Sequence, residues 1–503
     1  MTLAKQVRTI CPKLPITLAV ATFLMAGEAI AAPWLEPGDP RARHAVQQLA
    51  DRGHLNRTVT TWPMMWATID SGLKAQGSAH TDASVTTASA YLAFEQNYQA
   101  AGGMRNDFTV AGTTETPFIR TFNGGPREEA EATARVELQA QNWAARASVT
   151  YALDPEDDEN IRLDGSYLAG TAANWVLGAG AIDRWWGPGW SNSLILSTNA
   201  RPMPAVWLNR KDAKPFGSEW LSWIGPWQFT VFAGQYESER AVPRAKLIGM
   251  RATFRPFEGL DIGLSRAIQL GGEGRPEDGT TIWRALLGRD NGQFGQDRDP
   301  GNQLASVDIR YGFAIGNQSM SLYAQMMGED EAGAFPARKS WLLGSDWTTS
   351  VGQSQQQWYL EYTNTTADDF MGSAMPNISY EHHIYKTGYR YYGRNMASTY
   401  EGDAEAATLG AYNFYPNGHN LGLTITWADL NHDGTSRVAA TNPAVFYNVP
   451  KEQQEILLLD ISYGRPLFGG WLNLKGQAAD TRLALESGSK QNWLTSIDWT
   501  YRF

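Results

Sequence analysis

Over most of its length the chain alternates apolar and polar residues with a period of two. In the last segment Trp493, Thr495, Ile497, Trp499, Tyr501 and Phe503 share one face, and Asn492, Ser496, Asp498, Thr500 and Arg502 the other. The same pattern sets Val136 and Leu138 against Arg135, Glu137 and Gln139, Val307, Ile309 and Tyr311 against Ser306, Asp308 and Arg310, and Leu457, Leu459, Ile461 and Tyr463 against Asp460 and Ser462. A soluble β-sandwich alternates too, but it does not usually do so for some 400 residues with aromatics at so many strand ends. The pattern predicts an all-β transmembrane barrel.

Strands are predicted near 104–111, 131–141, 144–153, 162–170, 174–181, 203–209, 227–236, 246–254, 258–267, 303–314, 317–327, 340–349, 354–365, 407–415, 420–429, 455–465, 470–480 and 490–502, about eighteen in all. Their connections alternate tight and long, as the periplasmic turns and outer loops of bacterial barrels do. Keeping that alternation places 383–392 inside an outer loop rather than in the wall. An even count puts both barrel ends on the periplasmic side and the 182–202 segment on the outer side. The 210–226 connection is the exception, long yet periplasmic, where it can pack on the preceding helical residues.

Before the barrel the period is helical. Asp39 as N-cap, Pro40, an apolar stripe of Ala42, Ala45, Val46 and Leu49, and Gly53 predict one helix; Thr61–Ile69 reads as a second helical start and Asp82–Gln99 as a third. Residues 32–102 are therefore a small periplasmic helical module and 103–503 the barrel. Residues 1–31 read as a signal peptide: Lys5, Arg8 and Lys13, an apolar run from Leu14 to Met25, and a small-residue site at Ala29-Ile30-Ala31. No later run approaches the roughly 20 apolar residues of a spanning helix.

Cys11 is the one cysteine and lies in that leader, which excludes thiol chemistry and disulfides from the rest. The formal charge is −10, and loss of a leader with three basic residues and one acidic one leaves the remainder more acidic still, a poor match to nucleic acid.

The stretch Ala181–Pro202 concentrates the candidate chemistry. Trp185, Trp186 and Trp190 crowd round Gly187, Pro188 and Gly189, with Asp183, Arg184, Asn192, Asn199 and Arg201 among them. Indole faces beside Asn and Arg suit a sugar ring, whose C–H face stacks while its hydroxyls and carboxylates take polar partners. The alternative is that the rings pack the loop onto its own scaffold. In 366–406, Tyr385, Tyr389, Tyr391 and Tyr392 alternate with Lys386, Arg390 and Arg394, either a sugar-stacking cationic surface or a ribbon filling the barrel.

No catalytic set stands out: there is no Gly-x-Ser-x-Gly, His-Glu-x-x-His or phosphate loop, and no helical pattern follows Gly271-Gly272-Glu273-Gly274. Glu381-His382-His383 can bind a metal or serve as a polar loop, but adjacent histidines point apart, so no metal or cofactor is assigned. The acidic runs Asp154–Glu159 and Glu329–Glu331 either share divalent cations with lipopolysaccharide phosphates or are solvated charge.

Ala32-Pro33-Trp34-Leu35 with Asp39-Pro40-Arg41 and Leu49-Ala50-Asp51, then Thr60-Thr61-Trp62-Pro63, Asp183–Gly189 and Gly388–Arg394, in that order, resemble the Wzi-type capsule assembly proteins over nearly the whole chain. The resemblance implies an eighteen-strand outer-membrane barrel with a periplasmic helical bundle. It also implies a non-enzymatic, lectin-like role in attaching or organising exported capsular polysaccharide. Its implied partners are that polysaccharide or another exopolysaccharide, outer-membrane lipid with lipopolysaccharide, and the export machinery. The glycan-binding candidates, chosen on chemistry, are Arg184, Trp185, Trp186, Trp190, Asn199, Arg201, Tyr389, Arg390 and Arg394. The rival readings are a porin-like channel for sugars or other small solutes and an outer-membrane hydrolase.

Overall fold

A period of two leaves every strand with one apolar and one polar face, and the chain satisfies both by closing on itself. The computed structural model describes residues 34–76, 82–100, 104–286, 301–329, 338–368, 373–435 and 447–503. The leader read at 1–31, with Cys11, lies outside them. Each strand pairs antiparallel with its neighbour in sequence, and Trp493–Arg502 pairs with Met104–Thr113 to close the barrel. Nineteen segments make eighteen strands, because Ile161–Arg162 and Tyr167–Ala172 both pair with Trp143–Leu153 and form one interrupted strand. The single strand expected at 162–170 is thus broken around Gly165, whose φ is +87°.

The faces sort as the alternation predicts. Val307, Ile309 and Tyr311 are exposed outward, while Ser306, Asp308 and Arg310 are buried inward. The outer surface carries a band of Leu, Ile and Val, with Trp347 stacked on Trp358, Phe257 against Tyr311, and Trp499, Tyr501 and Phe503 in a row where the tight turns lie. Tyr151, Tyr362 and Trp493 ring the opposite rim. An apolar band between two aromatic girdles is the surface of a protein solvated by a bilayer. Among the described residues no helix is long and apolar enough to cross a membrane.

Tight turns, such as 316–317, 352–353 and 468–469, collect at one end, and longer connections, such as 181–204, 236–245 and 480–492, at the other. Three helices precede the first barrel strand: α1 (Pro40–Asp51), α2 (Trp66–Gln76) and α3 (Ala83–Ala100). Asp39 caps α1 by accepting from the Arg41 and Ala42 amides, at 2.8 and 3.1 Å. The second helix starts later than its pattern suggests. Thr61–Trp62 and Met64–Met65 are short strands, paired with Trp185–Trp186 and Trp34–Leu35, and these tertiary pairings override local propensity until Trp66. A short helix α4 (Gly279–Leu286) also follows the 271–274 glycines, where none was expected.

The helices close the tight-turn end by bonding to the inward faces of the wall. Arg310 donates two hydrogen bonds to Asp51 at 2.6 and 2.7 Å, and Arg251, paired with Asp308 at 2.6 Å, also donates to Thr61 Oγ1 at 2.8 Å. The ring nitrogens of His44 lie 2.9 Å from Gln357 Oε1 and 3.1 Å from Gln355 Oε1, both on the wall strand Ser354–Asp368. Burial holds this imidazole below its ordinary pKa, against the opposing pull of the two glutamine oxygens. A histidine buried neutral contributes stability that is complete above its unfolded pKa of about 6.5 and is lost as pH falls below it. The protection of α1 against hydrogen exchange, taken relative to the slower intrinsic exchange at low pH, should therefore fall on acidification from pH 7.5 to 5.5. A His44→Gln protein should show a smaller fall, and equal pH dependence in the two would remove His44 from the account.

Candidate functional site

An eighteen-strand barrel is wide enough to conduct unless something fills it. The filling comes from the two segments that the sequence singles out, 181–204 and 373–404, which fold inward rather than standing above the rim. Trp186, Trp190, Leu194, Ile195 and Leu196 of the first pack in one apolar cluster with Tyr380, Tyr385, Tyr389, Tyr391 and Met396 of the second. Several of their polar atoms pair across the same contact. Tyr380 donates to the Leu194 carbonyl and Tyr389 to that of Ile195, both at 3.0 Å. The Asn199 side-chain amide donates to the Asn395 carbonyl at 2.9 Å, and the Ser197 amide to the Met396 carbonyl at 2.8 Å.

The wall and the helices grip this plug. Glu361, inward-facing on Ser354–Asp368, accepts from the Trp190 amide at 2.5 Å, the Ser191 amide at 2.8 Å, the Ser191 hydroxyl, and Tyr323 at 2.7 Å. Gln325 bonds the Leu194 amide at 3.0 Å and the Trp186 carbonyl at 3.1 Å. From α1, Arg43 donates to the Gly189 and Pro188 carbonyls at 2.9 and 2.5 Å, and its guanidinium lies 4.2 Å from the Trp190 ring centroid.

Six of the nine nominated residues therefore sit inside the plug. Trp185, Trp186, Trp190 and Tyr389 are buried with their ring faces against protein: Trp190 stacks on Tyr359 at 5.8 Å, and Trp186 tilts against Phe232 at 5.6 Å. Scaffold packing, not an exposed sugar platform, is their geometry here. The physical reason is the width of the lumen, which offers three indoles more apolar contact than the rim does. Arg184 is buried over Phe232 at 4.6 Å and Trp207 at 5.4 Å, and burial lowers its pKa to about 9, with Asp183 opposing. Arg390 is buried between Glu381 and Glu401, at 2.6 and 2.7 Å. Burial alone would lower its pKa, yet the two carboxylates raise it above the ordinary value.

The other three gather where the plug reaches the long-loop end. Asn199 is buried, and its carbonyl and Oδ1 accept from Arg394 at 3.2 and 3.1 Å. Arg394 also donates to the Pro117 and Phe118 carbonyls at 2.9 and 2.8 Å and among the described residues pairs with no carboxylate, so burial lowers its pKa to about 10. Arg201 donates two bonds to Asp164, at 2.9 and 3.1 Å, and one to Asp157 at 2.6 Å, with Tyr392 4.6 Å from its guanidinium. Burial works against its charged form, but Asp164 and Asp157 raise its pKa.

Arg120 and Arg127, missed in the sequence because they stand alone in a Gly- and Pro-containing connection, complete a shallow cleft with Tyr391, Tyr392 and the carboxylates Glu128, Glu156 and Asp157. Tyr392 and Gly393 form the two-residue turn of the hairpin Arg390–Tyr391/Arg394–Asn395, with φ of +45° and +72°. Both angles fit a type I′ turn, where glycine is at ease and tyrosine is not. A bulky residue there costs on the order of 1 kcal/mol, and such strain gathers at working sites. The turn aims the Tyr392 ring into the cleft.

The acidic run is partly consumed here. Asp157 joins Arg162 and Arg201, Glu156 joins Lys490, and Asp154, Asp158 and Glu159 remain exposed. Glu329 accepts from the Tyr380 amide at 2.6 Å, while Asp330 and Glu331 lie outside the described residues. His382 Nδ1 accepts from the Ile384 and Tyr385 amides, and among the described residues no three His, Cys, Asp or Glu side chains are placed to share a metal. Beside the plug, against Met104–Thr113, Ala130–Gln139 and Trp143–Leu153, remains a polar cavity of about 430 Å³ lined by Arg105, Arg135, Arg146, Glu36 and Asp183.

Three comparisons bear on this geometry. A family model described as capsule assembly protein Wzi matches residues 100–494. An uncharacterized 55.8 kDa protein from the cps region of Klebsiella pneumoniae is 33% identical over 362 residues, 70% of this chain and 69% of that one. The fold is similar to that of Wzi from Escherichia coli, an outer membrane protein involved in group 1 capsule assembly and a carbohydrate-binding β-barrel. That structure is 24% identical, covers 94% of this chain and 100% of its own, and gives a TM-score of 0.80.

Proposed function

The chain belongs to the Wzi capsule assembly family, and from that premise we propose that it is an outer-membrane, lectin-like protein that attaches or organises exported capsular polysaccharide at the cell surface. The long-loop end faces outward, and the helices and tight turns face the periplasm, where the export machinery would meet them. The polysaccharide lies across the cleft of Arg127, Arg201, Tyr392 and Arg394, in contact with outer-leaflet lipopolysaccharide around the rim. Trp185, Trp186, Trp190, Arg184, Tyr389 and Arg390 hold the plug on which that cleft is mounted, and Asn199 orients Arg394.

The observation that carries this reading is the Tyr392 turn, a strained aromatic presented at the long-loop end in a cleft of four guanidinium groups and three carboxylates. The cleft is too shallow to enclose a sugar ring. Each contact is therefore weak, and retention comes from repetition along the polymer. Family membership speaks for assembly rather than turnover.

The test is binding of the folded barrel to the capsular polysaccharide of its source strain at low and high salt. Binding should weaken with salt. Arg394→Ala should reduce it about tenfold, equivalent to about 1.4 kcal/mol, and Tyr392→Ala by a similar amount, with the barrel still folded in both. Wild-type affinity in both folded variants would move the site away from the cleft.

A further inference from the structure

The connection between Ala205–Arg210 and Trp227–Gln235 is the one long segment among the tight turns, and it has two parts. Lys211–Ala213 bonds to α2: the Thr68 hydroxyl donates to the Lys211 carbonyl at 3.3 Å and accepts from the Ala213 amide at 3.1 Å, and the Ser71 hydroxyl donates to Asp212 at 2.6 Å. This is the packing on the helices expected of the segment. The rest turns the other way, over the outside of the barrel. Phe216 stacks on Trp227 with ring centroids 4.5 Å apart and planes 16° from parallel. Trp227 is outward-facing, since Thr230 and Phe232 of the same strand are buried inward. The 3₁₀ turn Glu219–Ile224 then leaves Trp220 89% exposed and Trp223 63% exposed, with Leu221 beside them.

We propose that Phe216–Ile224 is a lipid anchor lying in the headgroup region of the leaflet at the tight-turn end. Its occupant is lipid because the segment continues the bilayer-facing surface. Phe216 covers Trp227, and the next outward ring on that strand, Phe229, meets Trp175 of the neighbouring wall at 6.3 Å. The residue types agree, since exposed Trp with Lys214 at the same turn is the composition that settles at membrane–water interfaces. The backbone is pinned at this height. The Trp227 amide donates to the Ala213 carbonyl at 3.1 Å, and the Arg255 amide to the Pro226 carbonyl at 2.8 Å. At Gly225 a side chain is excluded, because a Cβ would stand 1.8 Å from the Arg255 carbonyl oxygen. The segment is a fixed foot rather than a swinging loop.

This inference rests on the reading of the barrel as a membrane protein, and the experiment separates the two. Among the described residues there is no cysteine, so Trp220→Cys and Leu177→Cys, each in a Cys11→Ser background, give single labelling sites on the full chain. Leu177 is an outward residue of the wall strand Trp175–Gly180. Each variant is coupled to an environment-sensitive fluorophore and reconstituted into vesicles of phosphatidylethanolamine and phosphatidylglycerol containing lipids with a nitroxide at the headgroup or deep in the acyl chain. The expected result is blue-shifted emission at both positions, with position 220 quenched more by the headgroup nitroxide and position 177 by the deep one. Quenching at 177 with none at 220 overturns the anchor and leaves the barrel reading intact. Quenching at neither overturns both.

Discussion

Replacing Glu361 with leucine is expected to turn a silent barrel into a conducting one. Its carboxylate accepts from the Trp190 amide, the Ser191 amide, the Ser191 hydroxyl and Tyr323, and leucine accepts from none. Each buried donor left without a partner costs about 1–3 kcal/mol, so the loss falls heavily on the loop that fills the lumen. The wall should survive, because its strands are held by backbone ladders on both sides of Ser354–Asp368. In planar bilayers the wild type should carry no steady current, whereas Glu361→Leu should open large, fluctuating conductances. Glu361→Gln keeps one acceptor oxygen and should fall between. Silence in all three, with unchanged melting, would mean that the plug does not depend on this carboxylate. A large steady wild-type current would instead favour the porin-like reading.

The second large effect is expected at the opposite end. Asp51 and Arg310 form a buried pair through two hydrogen bonds, and Arg310 has a further carboxylate, Asp346, at 3.5 Å. Truncating one partner of such a pair costs about 3–5 kcal/mol, because the remaining charge stays buried. The Asp346 contact should keep Asp51→Ala near the lower figure. Since the pair joins α1 to the wall, the loss should show as faster protease cleavage within 40–51 while the barrel remains resistant to denaturant. Arg310→Ala strands two carboxylates and should be worse. Cleavage at the wild-type rate in Asp51→Ala would place the docking energy of the helix in its apolar contacts instead.

Strand number, facing and the side of each connection were legible because the alternation of, for example, Val307–Tyr311 is a local signal repeated around the wall. The same holds for α1, whose cap, proline and terminal glycine lie within 15 residues. What the pattern did not encode is which way the long segments turn. Trp186, Trp190 and Tyr389 have the composition of a surface lectin loop and of a core plug alike. For the tryptophan segment the choice depends on Glu361, Gln325 and Met396, and for Tyr389 on Ile195, between about 130 and 200 positions away in the chain. Arg120 and Arg127 escaped notice for the related reason that an isolated arginine has no pattern. Only the fold brings them to Arg201 and Arg394. The late start of α2 likewise follows from strand pairings with Trp185–Trp186 that no local window contains.

The bonding of the hairpin Arg390–Asn395 bears on what happens when a polymer is pulled. A strand of capsule held at the proposed cleft would, in flowing fluid, exert a force there directed away from the cell. That load would pass from Arg394 to the Pro117, Phe118 and Asn199 carbonyls, from the Asn199 side chain back to Asn395, and from the plug to Glu361 and Gln325 on the wall. At the first stage it would be shared among three carbonyl acceptors and at the last between two wall side chains, so no single hydrogen bond there takes the whole tension. A tether mounted on a free loop would extend under drag and peel away, whereas one seated in the lumen would hand the strain to a closed ring of hydrogen-bonded strands.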